Sequence, residues 1–154
     1  MAKKARAKTR KYEDILYEVK DQIAWITINR PRVMNAFREQ SLDEMIDAGL
    51  FKLLQPKRYG GYGLDYGVNS LISMELARGC PSSAWVASIT TCHAWLTGMM
   101  HPDAQAHVWD RGHDQLIASC LVPVHATAEK VAGGYKVNGR WPFSSGVSVC
   151  QWVL

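Results

Sequence analysis

Residues 82–100 read SSAWVASITTCHAWLTGMM, and this stretch decides the fold. Pro81 and two serines stand at its start, the chemistry of a first helical turn, and no further proline or glycine intervenes before Gly98. Apolar residues fall nearly all round a helical wheel, so the segment reads as a central, buried helix. Such a helix needs elements packed on several sides, and the flanking sequence supplies them.

Upstream, Val68, Leu71, Ile72, Leu76 and Ala77 mark one apolar face from Val68 to Arg78, an amphipathic helix that Gly79 can end. A loop rich in turn residues, PKRYGGYGLDYG, precedes it from Pro56 to Gly67. Ser41 as N-cap, with Glu44 at the capping-box position, predicts a helix running to about Leu54, with Gly49 inside it. Further back, Ile15–Asn29 reads ILYEVKDQIAWITIN. Its apolar residues Ile23, Trp25, Ile26 and Ile28, with a turn at Lys20-Asp21-Gln22, predict a β-hairpin that Arg30-Pro31 ends.

Downstream, Pro102-Asp103 opens a helix to about Arg111. After Gly112 the period changes. Strands are predicted over Leu116–Val122, Ala126–Val131, Tyr135–Phe143 and Val149–Leu154, with Gly133-Gly134 as the hairpin turn between the second and third. The order is α+β: an amino-terminal β-hairpin, three to four helices, then an antiparallel β segment. It divides into a basic disordered arm (1–11), the hairpin and helix start (12–46), a helical unit (47–112) and an incomplete β domain (113–154).

Composition narrows the function. The 154 residues are 47% apolar and 21% charged, values ordinary for a soluble globular chain. No apolar run reaches the roughly 18 residues of a membrane span, and the basic start leads into no secretory apolar segment. The net charge of +4 comes largely from that arm, and no nucleic-acid-reading motif follows it. Cys80, Cys92, Cys120 and Cys150 form no CxxC pair, which argues against a metal site and for free thiols in a reducing cytoplasm. The histidines lack the spacing of a metal site.

Two family resemblances are carried by quoted motifs. AGLFKLLQPKRYGGYG, ELARGCPSSAWV, CHAWL and GGYKVNGRWPFSSG occur in this order between about Ala48 and Leu154. They resemble the flavin-dependent aromatic monooxygenases built on the acyl-CoA dehydrogenase fold. Residues 12–46, with INRP-x-x-MNAF, resemble the amino-terminal hairpin of the crotonase (enoyl-CoA hydratase) superfamily, in which Asn35, Ala36 and Phe37 match a stretch near bound CoA. Read from the residues alone, those three are a turn and a core contact. The join falls inside DEMIDAGLFKLL, within the helix predicted from Ser41.

The first resemblance implies a two-component enzyme: FMN or FAD, reduced by a separate flavin reductase, and an aromatic small-molecule substrate hydroxylated with oxygen. It also implies a carboxyl-terminal helical bundle, which these residues do not contain, so the chain is expected to be incomplete as an enzyme alone. On the same ground Ser144 would face flavin N5, with Ser145 as the neighbour able to substitute. His93 would hydrogen-bond or deprotonate a substrate phenol, and Ser119 would be the substrate-side hydroxyl. Trp85 and Trp141 would wall the pocket, and Leu121 and Val122 would offer backbone groups to the flavin ring. From the residues alone, His93 reads as a satisfied core histidine, Ser144 as a turn serine, Ser119 as an inward strand serine and Trp85 as core. Trp85 and His93, eight residues apart, are expected on one helix face. Two other readings stand beside this one: an acyl-CoA dehydrogenase-like fragment, and a non-catalytic, self-associating remnant or interaction module.

Overall fold

A computed structural model describes residues 11–36 and 38–154. The basic arm, apart from Lys11, and Phe37 lie outside the described residues. Strand β1 (Ile15–Lys20) and strand β2 (Ile23–Ile28) form the expected antiparallel hairpin. Lys20 pairs with Ile23, so only Asp21 and Gln22 make the turn, and both adopt positive φ (51° and 65°). Two left-handed residues are what a tight hairpin turn requires, and its twist suits the strands. After β2 the chain turns through a short 3-10 segment, Pro31–Val33, and the turn residues Met34 and Asn35. Asn35 is left-handed, and its side-chain oxygen accepts the Arg30 N–H at 2.8 Å.

Helix α1 spans Glu39–Asp47, beginning before Ser41 and ending well before Leu54. Ser41 sits inside the first turn. It accepts the Arg38 N–H and donates its own proton to Asp14 at 2.6 Å. Glu44 is not a capping-box partner. Its carboxylate accepts the backbone N–H groups of Glu13, Asp14 and Ile15 at 2.8, 2.8 and 3.1 Å. Tertiary contact with the hairpin therefore overrides the local capping signal. Gly49, at φ +90°, ends α1, and a separate 3-10 turn, Leu50–Lys52, follows.

Helix α2 (Tyr66–Gly79) is capped by Asp65, whose side chain accepts the Gly67 N–H. Helix α3 (Pro81–Gly98) is the central element, and helix α4 (Pro102–Trp109) follows. Asn69 of α2 is buried and donates to the Ser88 carbonyl oxygen of α3 at 3.2 Å, tying the two helices together. One apolar core joins hairpin to helices through Ile15, Met45, Leu50, Phe51, Ala87 and Leu116. A second lies under the other end of α3, with Ala94, Val108, Trp109 and Ile117.

The carboxyl-terminal strands are shorter than predicted, except for one hairpin. Strand β4 (His125–Val131) and strand β5 (Gly134–Arg140) pair antiparallel, whereas β3 (Ile117–Ala118) and β6 (Trp152–Val153) pair in parallel. The two-residue ladder forms because Leu116, Ile117 and Ala118 are buried against the helices, and the chain end returns beside them. Among the described residues no helix is long and apolar enough to cross a membrane, and all four cysteines are free.

Candidate active site

The site is built where α3 meets β3 and the 141–149 loop. His93 projects from α3 into the core and is 5% exposed. Its Nδ1 lies 2.9 Å from the Ile117 carbonyl oxygen and its Nε2 lies 2.7 Å from Ser119 Oγ. A carbonyl only accepts, so Nδ1 carries the proton, and the neutral ring accepts the Ser119 hydroxyl proton at Nε2. Burial pushes the imidazole below its ordinary value, against a smaller opposing pull from the Ile117 carbonyl. The ring is therefore neutral and held in one orientation, with the Ser119 hydroxyl on its Nε2.

Ser144 continues the line. Its hydroxyl donates to the backbone oxygen of Ser119 at 3.1 Å. Next to it, Ser145 Oγ accepts the Trp85 indole N–H at 3.1 Å, so the loop is fastened to α3. Gly146 makes that approach possible. Its φ is +79°, and a Cβ there would meet Val86 Cγ1 at 3.1 Å. His93, Ser119 and Ser144 thus form one hydrogen-bonded line, and Ser145 and Trp85 lie along its outer edge.

The other expected positions fall differently. Trp85 and His93 do not share a face: Trp85 is 59% exposed, while His93 is buried. Eight residues at 100° each leave an offset of about 80°. Leu121 and Val122 follow β3 with exposed side chains, and Trp141 is also exposed. The Trp141 indole lies over Gly139, where a Cβ would meet the ring at 2.6 Å. Sequence reasoning missed the Ile117 carbonyl, a backbone acceptor with no residue signature.

This donor set fits a flavin edge. Ser144 and Ser145 are partly exposed, exposed Trp85 stands beside Ser145 through its indole N–H, and Trp141, Leu121 and Val122 are also exposed. A flat heteroaromatic ring with polar ring atoms needs that mixture.

Comparison with known proteins gives the family. The sequence model of "Acyl-CoA dehydrogenase, N-terminal domain" matches residues 18–107. The chain belongs to that family. The match runs across the join at residue 46 and includes most of the hairpin, so the crotonase resemblance of 12–46 finds no support. Within the family, the chain is 38% identical over 106 residues to the oxygenase component of an FADH(2)-dependent resorcinol hydroxylase from a Rhizobium species, covering 69% of this chain and 26% of the relative. It is 35% identical over 116 residues to the flavin-dependent monooxygenase oxygenase subunit HsaA of Rhodococcus jostii, covering 75% and 30%. The crystal structure of HsaA from M. tuberculosis superposes with a TM-score of 0.72 at 32% identity, over 79% of this chain and 32% of that one. The chain therefore spans about a quarter to a third of the length of these acyl-CoA dehydrogenase-fold relatives.

Proposed function

We propose that this chain forms the oxygenase-side wall of a two-component, flavin-dependent aromatic hydroxylase. The observation that carries the reading is the hydrogen-bonded line His93–Ser119–Ser144, which crosses from α3 through β3 to the 141–149 loop. Bound reduced flavin would supply the activation of oxygen. Ser144, Ser145, Trp85, Trp141, Leu121 and Val122 would hold the flavin. Ser119 and His93 would receive the phenol of an aromatic substrate: its hydroxyl competes with Ser119 for Nε2 of the neutral imidazole, which accepts and then takes a proton.

The relatives support the partner and the cofactor. One is an FADH(2)-dependent oxygenase component, which favours FAD over FMN and implies a separate flavin reductase. The free cysteines agree with a cytoplasmic setting. Exposed apolar residues such as Leu71 and Met74 on α2 support self-association.

Anaerobic titration with reduced FAD, and separately reduced FMN, followed by tryptophan fluorescence, tests the binding half. Saturable quenching is expected, weakened roughly five-fold in Ser144→Ala, the loss of about one hydrogen bond. With a phenol, oxygen and a reductase-driven flavin supply, hydroxylated product is expected to be poor or absent from a chain that spans about a quarter to a third of its relatives' length. No saturable change with either flavin, or turnover of acyl-CoA but not of phenols, overturns the reading.

A further inference from the structure

The amino-terminal hairpin has one covered edge and one open edge. Asp21 and Gln22 both stand at positive φ, so the turn closes with Lys20 opposite Ile23 as a hydrogen-bonded pair. Antiparallel pairs alternate between bonded and non-bonded, which makes Glu18–Trp25 and Leu16–Thr27 bonded pairs as well. The bond from the Asn29 N–H to the Asp14 carbonyl oxygen, 2.7 Å, continues the same alternation. The backbone groups of Ala24, Ile26 and Ile28 therefore point away from β1. Among the described residues, no backbone bond beyond the hairpin's own ladder engages them. The outer edge of β1 differs, because Glu44 of α1 already accepts the Ile15 N–H there.

Open edges are ordinarily blunted by charge, proline or a bulge, since they pair with strands that reach them. Strand β2 has none of these: its six residues, IAWITI, include no charge and no proline, and its register with β1 is unbroken. Its outer face leaves Ile23 58% and Trp25 50% exposed, beside Leu16 of β1 at 53%. The edge selects its partner by charge. A charged strand finds no opposite charge on β2, whereas an uncharged strand leaves none unmatched. The other long strands, β1, β4 and β5, all carry charged residues, so the strand that matches β2 is β2. We propose that β2 is a self-pairing interface, through which two copies of the chain join their hairpins edge to edge about a two-fold axis at Ile26. Identical edges related in this way run antiparallel, with their outward backbone groups facing each other. The longest such register sets Ile26 opposite its equivalent and Ala24 opposite Ile28 of the second copy. On the outer face Trp25 then stands opposite Thr27 of the second copy, and the two Trp25 rings are diagonal neighbours. A ladder this short falls below the roughly 1,200 Å² of stable interfaces, so a weak, reversible dimer is expected. The surface is separate from Leu71 and Met74 of α2, and it does not rest on the flavin reading.

Sedimentation velocity of the whole chain over about 1–100 μM tests the assignment. A reversible monomer–dimer equilibrium is expected. The Ile26 amide of the unmodified chain, followed by nuclear magnetic resonance, should exchange more slowly at the high end of that range than at the low end. This readout holds even where a variant fails to fold. Ala24→Pro removes an outward N–H and leaves the hairpin's own ladder whole, and should weaken the dimer by about ten-fold or more. Trp25→Lys with Thr27→Lys sets like charges opposite each other across the axis, whereas Trp25→Lys with Thr27→Glu sets opposite charges there. The second pair of changes should dimerise about ten-fold more tightly than the first. Leu71→Ser with Met74→Ser should leave the dimer unchanged. A monomer throughout, a dimer insensitive to Ala24→Pro, equal dimerisation of the two charge variants, or Ile26 exchange independent of concentration overturns the assignment. So does loss of the dimer in Leu71→Ser with Met74→Ser, which moves the association to α2.

Discussion

His93 shows how one buried side chain carries both a chemical and a thermodynamic consequence. Because burial holds its imidazole below the value of 6.5 that it has in water, the unfolded chain binds the proton first as pH falls. The stability tied to His93 is therefore complete above about pH 6.5 and is lost as pH falls toward and through the lower folded value. The thermal midpoint should decline on acidification from about pH 7 to about pH 5, and the slope should flatten in His93→Gln. An unchanged slope in that variant would remove His93 as the titrating group. Asp14 acts in a separate window. Hydrogen bonds from Arg38, then Ser41, hold its carboxyl at about 2 instead of 3.8 despite burial. Its contribution is complete above 3.8 and is lost progressively as pH falls from there through about 2. At this scale the sequence revealed His93, Ser119 and Ser144 through family motifs. The tautomer that makes them a line depends on the Ile117 carbonyl, which any residue at 117 would provide.

Among the elements, the hairpin and helices α2, α3 and α4 were legible from local signals. The alternation of Ile26 and Ile28 with polar neighbours, and the proline starts at Pro81 and Pro102, are local signals. The start of α1 was not legible, since Ser41 and Glu44 are committed to the hairpin 27 or more residues away in sequence. The β3–β6 ladder was also hidden. Two residues carry no period, and parallel pairing across 35 positions leaves no mark in either strand. The Glu44 contacts make a direct prediction. Glu44→Leu removes the acceptor for three N–H groups at the joint between hairpin and helix, and should destabilise folding by about 2–3 kcal/mol. Glu44→Gln, which keeps one carbonyl oxygen, should cost less. Urea denaturation measures both, and equal stability of Glu44→Leu and the parent chain would mean the hairpin is held by apolar packing alone.

At the scale of the whole molecule, stability is unevenly distributed. Helix α3 touches both cores, burying Ala87 in one and Ala94 in the other, so its amides open only with the entire fold. The β4–β5 ribbon is the opposite case. Every residue of both strands is exposed, and its backbone ladder has no apolar layer behind it. An isolated two-stranded ribbon is marginal in water. Its amides should therefore exchange through local openings of about 0–2 kcal/mol, while those of α3 exchange near the global value, about 5–15 kcal/mol for a domain of this kind. Hydrogen exchange read by mass spectrometry separates the two, because peptides from 125–140 should label within the earliest time points and peptides from 87–97 last. Ser119 and Ser144 flank the ribbon on its two sides, so its opening need not break the line they form with His93. If the ribbon instead proves as protected as α3, a partner surface covers it in solution, and the same measurement repeated at lower protein concentration distinguishes a second copy of this chain from an intramolecular cover.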